Sequence, residues 1–194
     1  MLSNLFRLMI NPRKQYAALK EQRPLLPIAF SILALSIITS LFEFSFLPVA
    51  EEEEMLSQPV LILIATAGTV VLFFVIAAFM KLIAVIFEGK ATYKEMMEIY
   101  GLSLFPYIII LPVTVLLFLL HITGIITETS VIVELYSIAV NLLTVWSFIL
   151  IIGMFGEANG FSIGKSIGAA VVSFIITIVI FIVLLIVIVA SIGI

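Results

Sequence analysis

Cysteine is absent from the 194 residues, and histidine and tryptophan each occur once. Without cysteine the chain has no disulfide framework, no thiol nucleophile and no iron–sulfur ligands, and its redox compartment is left open. Charge is scarce as well: 11% of the residues are charged against 64% hydrophobic, and no water-soluble core needs that much apolar surface. Lysine and arginine are missing altogether from the connectors after the first and third apolar runs and from the C-terminal end.

What is present is oil in long pieces. Five stretches have the roughly 18 or more apolar residues that a membrane crossing requires: residues 25–50, 59–87, 100–121, 131–155 and 167–194. The fold class expected is therefore an all-α integral membrane protein, a single domain built as a bundle of five transmembrane helices. The first run is longer than a secretory signal core, lacks a small residue two positions before Ala50 because Pro48 stands there, and is followed by further runs; it is read as retained. Arg7, Arg13, Lys14, Lys20 and Arg23 precede the first run, Lys81 lies near the end of the second, Lys90 and Lys94 follow it, and Lys165 separates the fourth from the fifth. All nine cations thus fall on one side, which the positive-inside rule makes cytoplasmic, with the N-terminus in and the C-terminus out. Glu51 to Glu54 and Glu128 fall on the other side, where the acidic run reads as a solvated loop rather than a calcium site.

The connector after the second run is more elaborate than a simple turn. In "GKATYKEMMEIYGLSLFPYIIILP", Gly89 is placed to end the preceding helix in a left-handed conformation, and Thr92 with Glu95 spells the T-x-x-E of a capping box. Tyr93, Met96, Met97, Tyr100 and Leu104 then recur at helical spacing, with Lys94, Glu95 and Glu98 on the other side. That pattern predicts a short interfacial helix on the cytoplasmic side which turns inward near Gly101 and Pro106. Pro106 and Pro112 predict a third span that is kinked and packed within the bundle.

Two further stretches on the cation side carry helix punctuation. In "NPRKQYAALKEQRPLLP", Asn11 can cap, Pro12 fits the first helical position and Pro24 stops the helix. Leu2, Leu5, Phe6 and Met9 share one face opposite Arg7, as in a segment lying along a bilayer, so that residues 1–24 read as one cytoplasmic amphipathic segment. In "NGFSIGKSIGAA", Gly160 can end one helix and Ser162 can cap the next. The near-match "GFSIGKS" to a phosphate-binding loop fails on its glycine spacing and has no strand before it. The row Gly160, Gly164 and Gly168 reads instead as a small-residue face for helix packing.

Polar residues inside apolar runs are candidate functional positions. Glu43 shares a face with Ser36 and Ser40, and Glu134 continues through Ser137, Asn141 and Thr144 at helical spacing. Both stripes are expected to face protein. Their bland reading is interhelical hydrogen bonding, worth about 0.6–2 kcal/mol per contact; their functional reading is a path for a proton, a cation or a solute. His121 reads as a polar anchor at the outer end of the third run rather than a metal ligand with Glu128 or Glu134.

The segments "NPRKQYAALKEQRPLLP", "GKATYKEMMEIYGLSLFPYI" and "TVWSFILIIGMFGEANGFSIGKSIGAA" resemble, in order and spacing across nearly the whole chain, the Yip (Ypt-interacting protein) domain family in its bacterial and archaeal form. The core of the resemblance is Y-G-x-S-x-x-P, here Tyr100, Gly101, Ser103 and Pro106. It implies five spans with a cytoplasmic N-terminus, in the cytoplasmic membrane of a prokaryotic cell. Eukaryotic relatives are implicated in small-GTPase binding and vesicle trafficking and carry a long cytoplasmic N-terminal region, whereas about two dozen residues precede the first run here. Some prokaryotic relatives accompany efflux transporters.

No paired nucleophile and base, metal-spaced ligands or cofactor motif is found, so the protein is expected to be no enzyme and to need no cofactor or metal. The function expected is a polytopic membrane scaffold that binds another membrane protein or shapes the bilayer. Its partners would be membrane lipids and another integral membrane protein or a second copy of the chain, with no nucleic acid. The alternative is a small transporter or channel with a polar path lined by Glu43 and Glu134.

Overall fold

A computed structural model describes residues 2–44, 58–127, 129–173, 175 and 176. The described part is helical, without strands: α1 (Leu2–Ile10), α2 (Pro12–Gln22), α3 (Leu26–Glu43), α4 (Gln58–Ile86), α5 (Tyr93–Ser103), α6 (Phe105–Ile122), α7 (Val131–Asn159) and α8 (Ile163–Ser173). Four helical stretches are long and apolar enough to cross a membrane: α3, α4, the α5–α6 run and α7. The fifth expected span is represented by α8 and residues 175 and 176, and the rest of that run, with Glu51 to Glu54 and Glu128, lies outside the described residues.

Local chemistry sets several of the helix ends. Asn11 accepts a hydrogen bond from the Lys14 amide (3.4 Å) and Pro12 opens α2, which stops two residues before Pro24. Thr92 and Glu95 form the capping box of α5: the Glu95 amide donates to Thr92 Oγ1 (3.3 Å) and the Thr92 amide to Glu95 Oε2 (2.6 Å). Gly160 adopts the left-handed conformation (φ 68°) at the end of α7, and Ser162 Oγ accepts from the Lys165 amide (3.3 Å) at the start of α8.

Helix α5 is the hub. It packs against α3, α4 and α7, and Met96, Ile99 and Leu102 are fully buried in the main hydrophobic core together with Tyr16, Ile83, Leu150 and Met154. The expectation of a helix half-immersed in an interface is corrected here: Met96 is fully enclosed, Met97 and Tyr100 are half-buried, Tyr93 is exposed, and even Glu98 on the polar side is buried. The reason is that α3, α4 and α7 pack around α5, while on the side that the periodicity leaves polar Lys20 of α2 pairs with Glu95 and the Leu26 amide bonds Glu98. The α5–α6 break falls at Leu104, between Gly101 and Pro106, and Pro112 lies inside α6 at an exposed position. A second, smaller cluster joins α6 and α7 near their other ends through Leu117, Ile126, Val133 and Tyr136.

Candidate functional site

The cations and carboxylates before α3 and around α5 come together at one end of the bundle. On one flank of α2, Arg13 Nε donates to Glu157 Oε2 of α7 (3.3 Å) and Arg13 Nη2 to the Phe161 carbonyl (2.6 Å). On the other flank Lys20 pairs with Glu95, the same carboxylate that closes the α5 capping box. One turn on, the Glu98 carboxylate is 6% exposed, with Lys94 Nζ 4.0 Å away and the Leu26 backbone amide as a hydrogen-bond donor. Tyr16 lies beside it, 1% exposed, its hydroxyl without a hydrogen-bond partner among the described residues. Burial pushes the Tyr16 phenol well above its usual range, and the charges of Glu98 and Glu95 push the same way, so it stays neutral.

The α4–α5 connector is held by side chains from two other positions. Asn159, buried near the end of α7, accepts from the Ala91 amide (3.1 Å) and anchors its own amide group on the Phe155 carbonyl (2.8 Å). Lys81 of α4 donates to the Ala91 carbonyl (2.7 Å). Gly89 fits because Asn159 Oδ1 stands where a Cβ would be; the left-handed residue expected there is Glu88 instead (φ 58°), with the Gly89 amide closing on the Ala84 carbonyl at 2.6 Å.

Tyr100, Gly101, Ser103 and Pro106 build the α5–α6 joint. The Tyr100 ring sits 5.5 Å from that of Phe73, and Ser103, fully buried, donates to the Tyr100 carbonyl (2.7 Å). A Cβ on Gly101 would come within 2.5 Å of Ala29 Cβ, so the glycine is what lets α5 cross α3 this closely. Pro106 is buried in the first turn of α6. For the row Gly160, Gly164 and Gly168, no described atom beyond the glycine's own chain neighbours and helix backbone lies within 4 Å of an added Cβ. Gly160 serves the left-handed cap, and close approach falls to Gly153, where an added Cβ would come within 2.6 Å of Pro12 Cγ, and to Gly156, where it would run into Ser166 Oγ.

Among the intramembrane polar residues, Glu43 is joined to a chain that its own stripe does not contain. It accepts from the Tyr136 hydroxyl of α7, which lies 2.7 Å from Thr114 Oγ1 of α6; the one Thr114 hydroxyl proton can go to Tyr136 or to the Ile110 carbonyl (3.2 Å). Ser36 donates back to the Leu33 carbonyl (2.8 Å), and Ser40 is exposed. Glu134 and Asn141 are exposed and Ser137 is half-buried; Asn141 donates to the Ser137 carbonyl (2.9 Å), and Thr144 meets the Tyr107 hydroxyl (2.6 Å). The structure therefore does not bring the two stripes into one lining. His121 is half-buried, and among the described residues no group of three or more histidines or carboxylates forms a metal-ligand set.

Sequence reasoning missed Asn159, Lys81, Tyr136, Thr114, Gly153 and Gly156. Asn159 carried a usable signal, a polar residue one position before a capping glycine at the end of an apolar run; Tyr136 and Thr114 look ordinary in any helical projection.

Comparison with curated proteins finds no match, and neither does comparison with solved structures. The model of the Yip1 domain matches residues 6–187, which include α2 to α8, the α5–α6 joint and the Asn159 clamp. With nearly its whole length covered and its long apolar helices in place, the chain belongs to the Yip1 domain family, a family of multi-pass membrane proteins not known for enzymatic activity.

Proposed function

We propose that the protein is a non-enzymatic membrane scaffold that binds another integral membrane protein, an efflux transporter complex among the candidates, at the charged end of its bundle. The observation that carries this reading is the use of charge there. Arg13 is committed to Glu157 and the Phe161 carbonyl, and Lys20 to Glu95, so charged groups at this end hold α2 against both α5 and α7. Such pairing ties α2 to its neighbours as a platform. On the outside of that platform α1 leaves Phe6 and Ile10 exposed, Ile10 at 84%. The proposal includes five spans, an inward N-terminus and residence in the cell membrane, supported by the segregation of the nine cations.

Affinity purification in mild detergent tests it. One integral membrane protein should co-purify in near-stoichiometric amount, should be lost with Ile10→Glu, and should be retained by Glu43→Gln. Retention of the partner by Ile10→Glu at the wild-type level would sink the assignment.

The hydrogen-bonded chain Glu43–Tyr136–Thr114 favours a second reading, a small transporter or channel, because it connects α3, α7 and α6 through groups able to pass a proton. In that case Glu43→Gln would abolish cellular function with the fold intact.

A further inference from the structure

Between the end of α2 and the start of α5 the structure opens a cleft of about 580 Å³, whose charged lining is Lys20, Glu21, Arg23, Lys94, Glu95 and Glu98. Three cations face three carboxylates, so the cleft is neutral overall while carrying both signs at close range. Its floor is unbalanced. The Lys20 and Glu95 charges answer each other, but Glu98, a carboxylate 5% exposed as a residue, has its nearest ammonium, Lys94, only at 4.0 Å. A buried carboxylate compensated that loosely favours a further cation. Lys94, with a side chain 60% exposed, can swing away from Glu98 towards an anion at the rim.

We propose that this cleft holds the headgroup of a zwitterionic phospholipid bearing a primary amine, its ammonium on Glu98 and its phosphate beside Lys94. Leu25 closes the cleft, and the next residue, Leu26, begins the apolar span α3, so the opening stands where a span leaves the hydrocarbon. No lining residue is aromatic, which disfavours a quaternary ammonium, since that group offers no hydrogen bond and is recognised by aromatic cages. An anionic headgroup lacking the amine would meet the carboxylates of Glu21 and Glu98 uncompensated. The inference concerns a lipid and is independent of the scaffold reading.

The test uses the full chain in nanodiscs of phosphatidylcholine alone, or with equal fractions of phosphatidylethanolamine or phosphatidylglycerol added. Native mass spectrometry should show phosphatidylethanolamine adducts about tenfold over phosphatidylcholine, and the melting temperature should rise by about 3 °C or more with phosphatidylethanolamine. Glu98→Gln should bring the two lipids to parity. If that variant fails to fold, Lys94→Glu, at an exposed position, serves instead and should weaken retention by repelling the phosphate. Equal binding of the two zwitterionic lipids overturns the proposal, as does a preference for phosphatidylglycerol or phosphatidylethanolamine retention unchanged in folded Lys94→Glu. Soluble phosphoethanolamine is the remaining arm: stabilisation by it in phosphatidylcholine nanodiscs, with none from the lipid, would assign the site to a soluble compound and overturn the lipid assignment.

Discussion

Ala91 lends both of its backbone polar groups to side chains from elsewhere, its amide to Asn159 and its carbonyl to Lys81. The amide contact is buried, so Asn159→Ala leaves an unsatisfied donor and should cost about 1–3 kcal/mol, read as a lower melting temperature in detergent. Lys81 is only half-buried, water can replace it, and Lys81→Met should cost less. A glycine series makes the same distinction between contact and mere composition. Gly101→Leu and Gly153→Leu drive a side chain into Ala29 and Pro12 and should destabilise by about 1–3 kcal/mol or more, whereas Gly164→Leu, with open space around it, should be close to neutral. Equal effects at all three positions would contradict this packing. A four-residue spacing shows which residues share a helix face, but close approach depends on where another helix crosses that face. Gly153 and Gly156 are identified by Pro12 and Ser166, which are distant along the chain or carried by another helix.

Single helices were legible where the signal is local. Thr92, Glu95, Asn11, Pro12, Gly160 and Ser162 act on neighbours within a few residues, and each stands at the helix end that it marks. The surroundings of α5 were not legible, because an amphipathic pattern is the same whether its apolar side meets lipid or protein; here α3, α4 and α7 enclose it. The N-terminal pair α1–α2 shows what holds an element that does not itself cross the membrane. Leu5, Leu8, Tyr16 and Leu19 bury its inner side, and Arg13 fixes its register on α7. Arg13→Ala should therefore loosen α1–α2 locally, so that amide hydrogen exchange speeds up across residues 2–22 while α4 and α7 keep their protection. Exchange unchanged in α1–α2 would mean that apolar burial alone holds the pair.

At the scale of the whole molecule, hydropathy made the spans readable because each must bring its own apolar length, and α3, α4, α6 and α7 begin or end within a few residues of the runs read from sequence, except where α3 leaves the described part. The direction in which they cross is a separate matter, set by charge outside the hydrocarbon. Lys90 and Ile125 sit in connectors at opposite ends of the bundle, after α4 and after α6, and both side chains are exposed. The chain has no cysteine of its own, so single cysteines at these positions report without background. In intact cells an impermeant thiol reagent should label Ile125→Cys and leave Lys90→Cys unlabelled until the cells are opened, because the lysines and arginines gather at the Lys90 end and are held inside. Labelling of Lys90→Cys from outside would invert the orientation, place the α2–α5 cleft in the outer leaflet, and move the platform proposed for partner binding to the other side of the membrane.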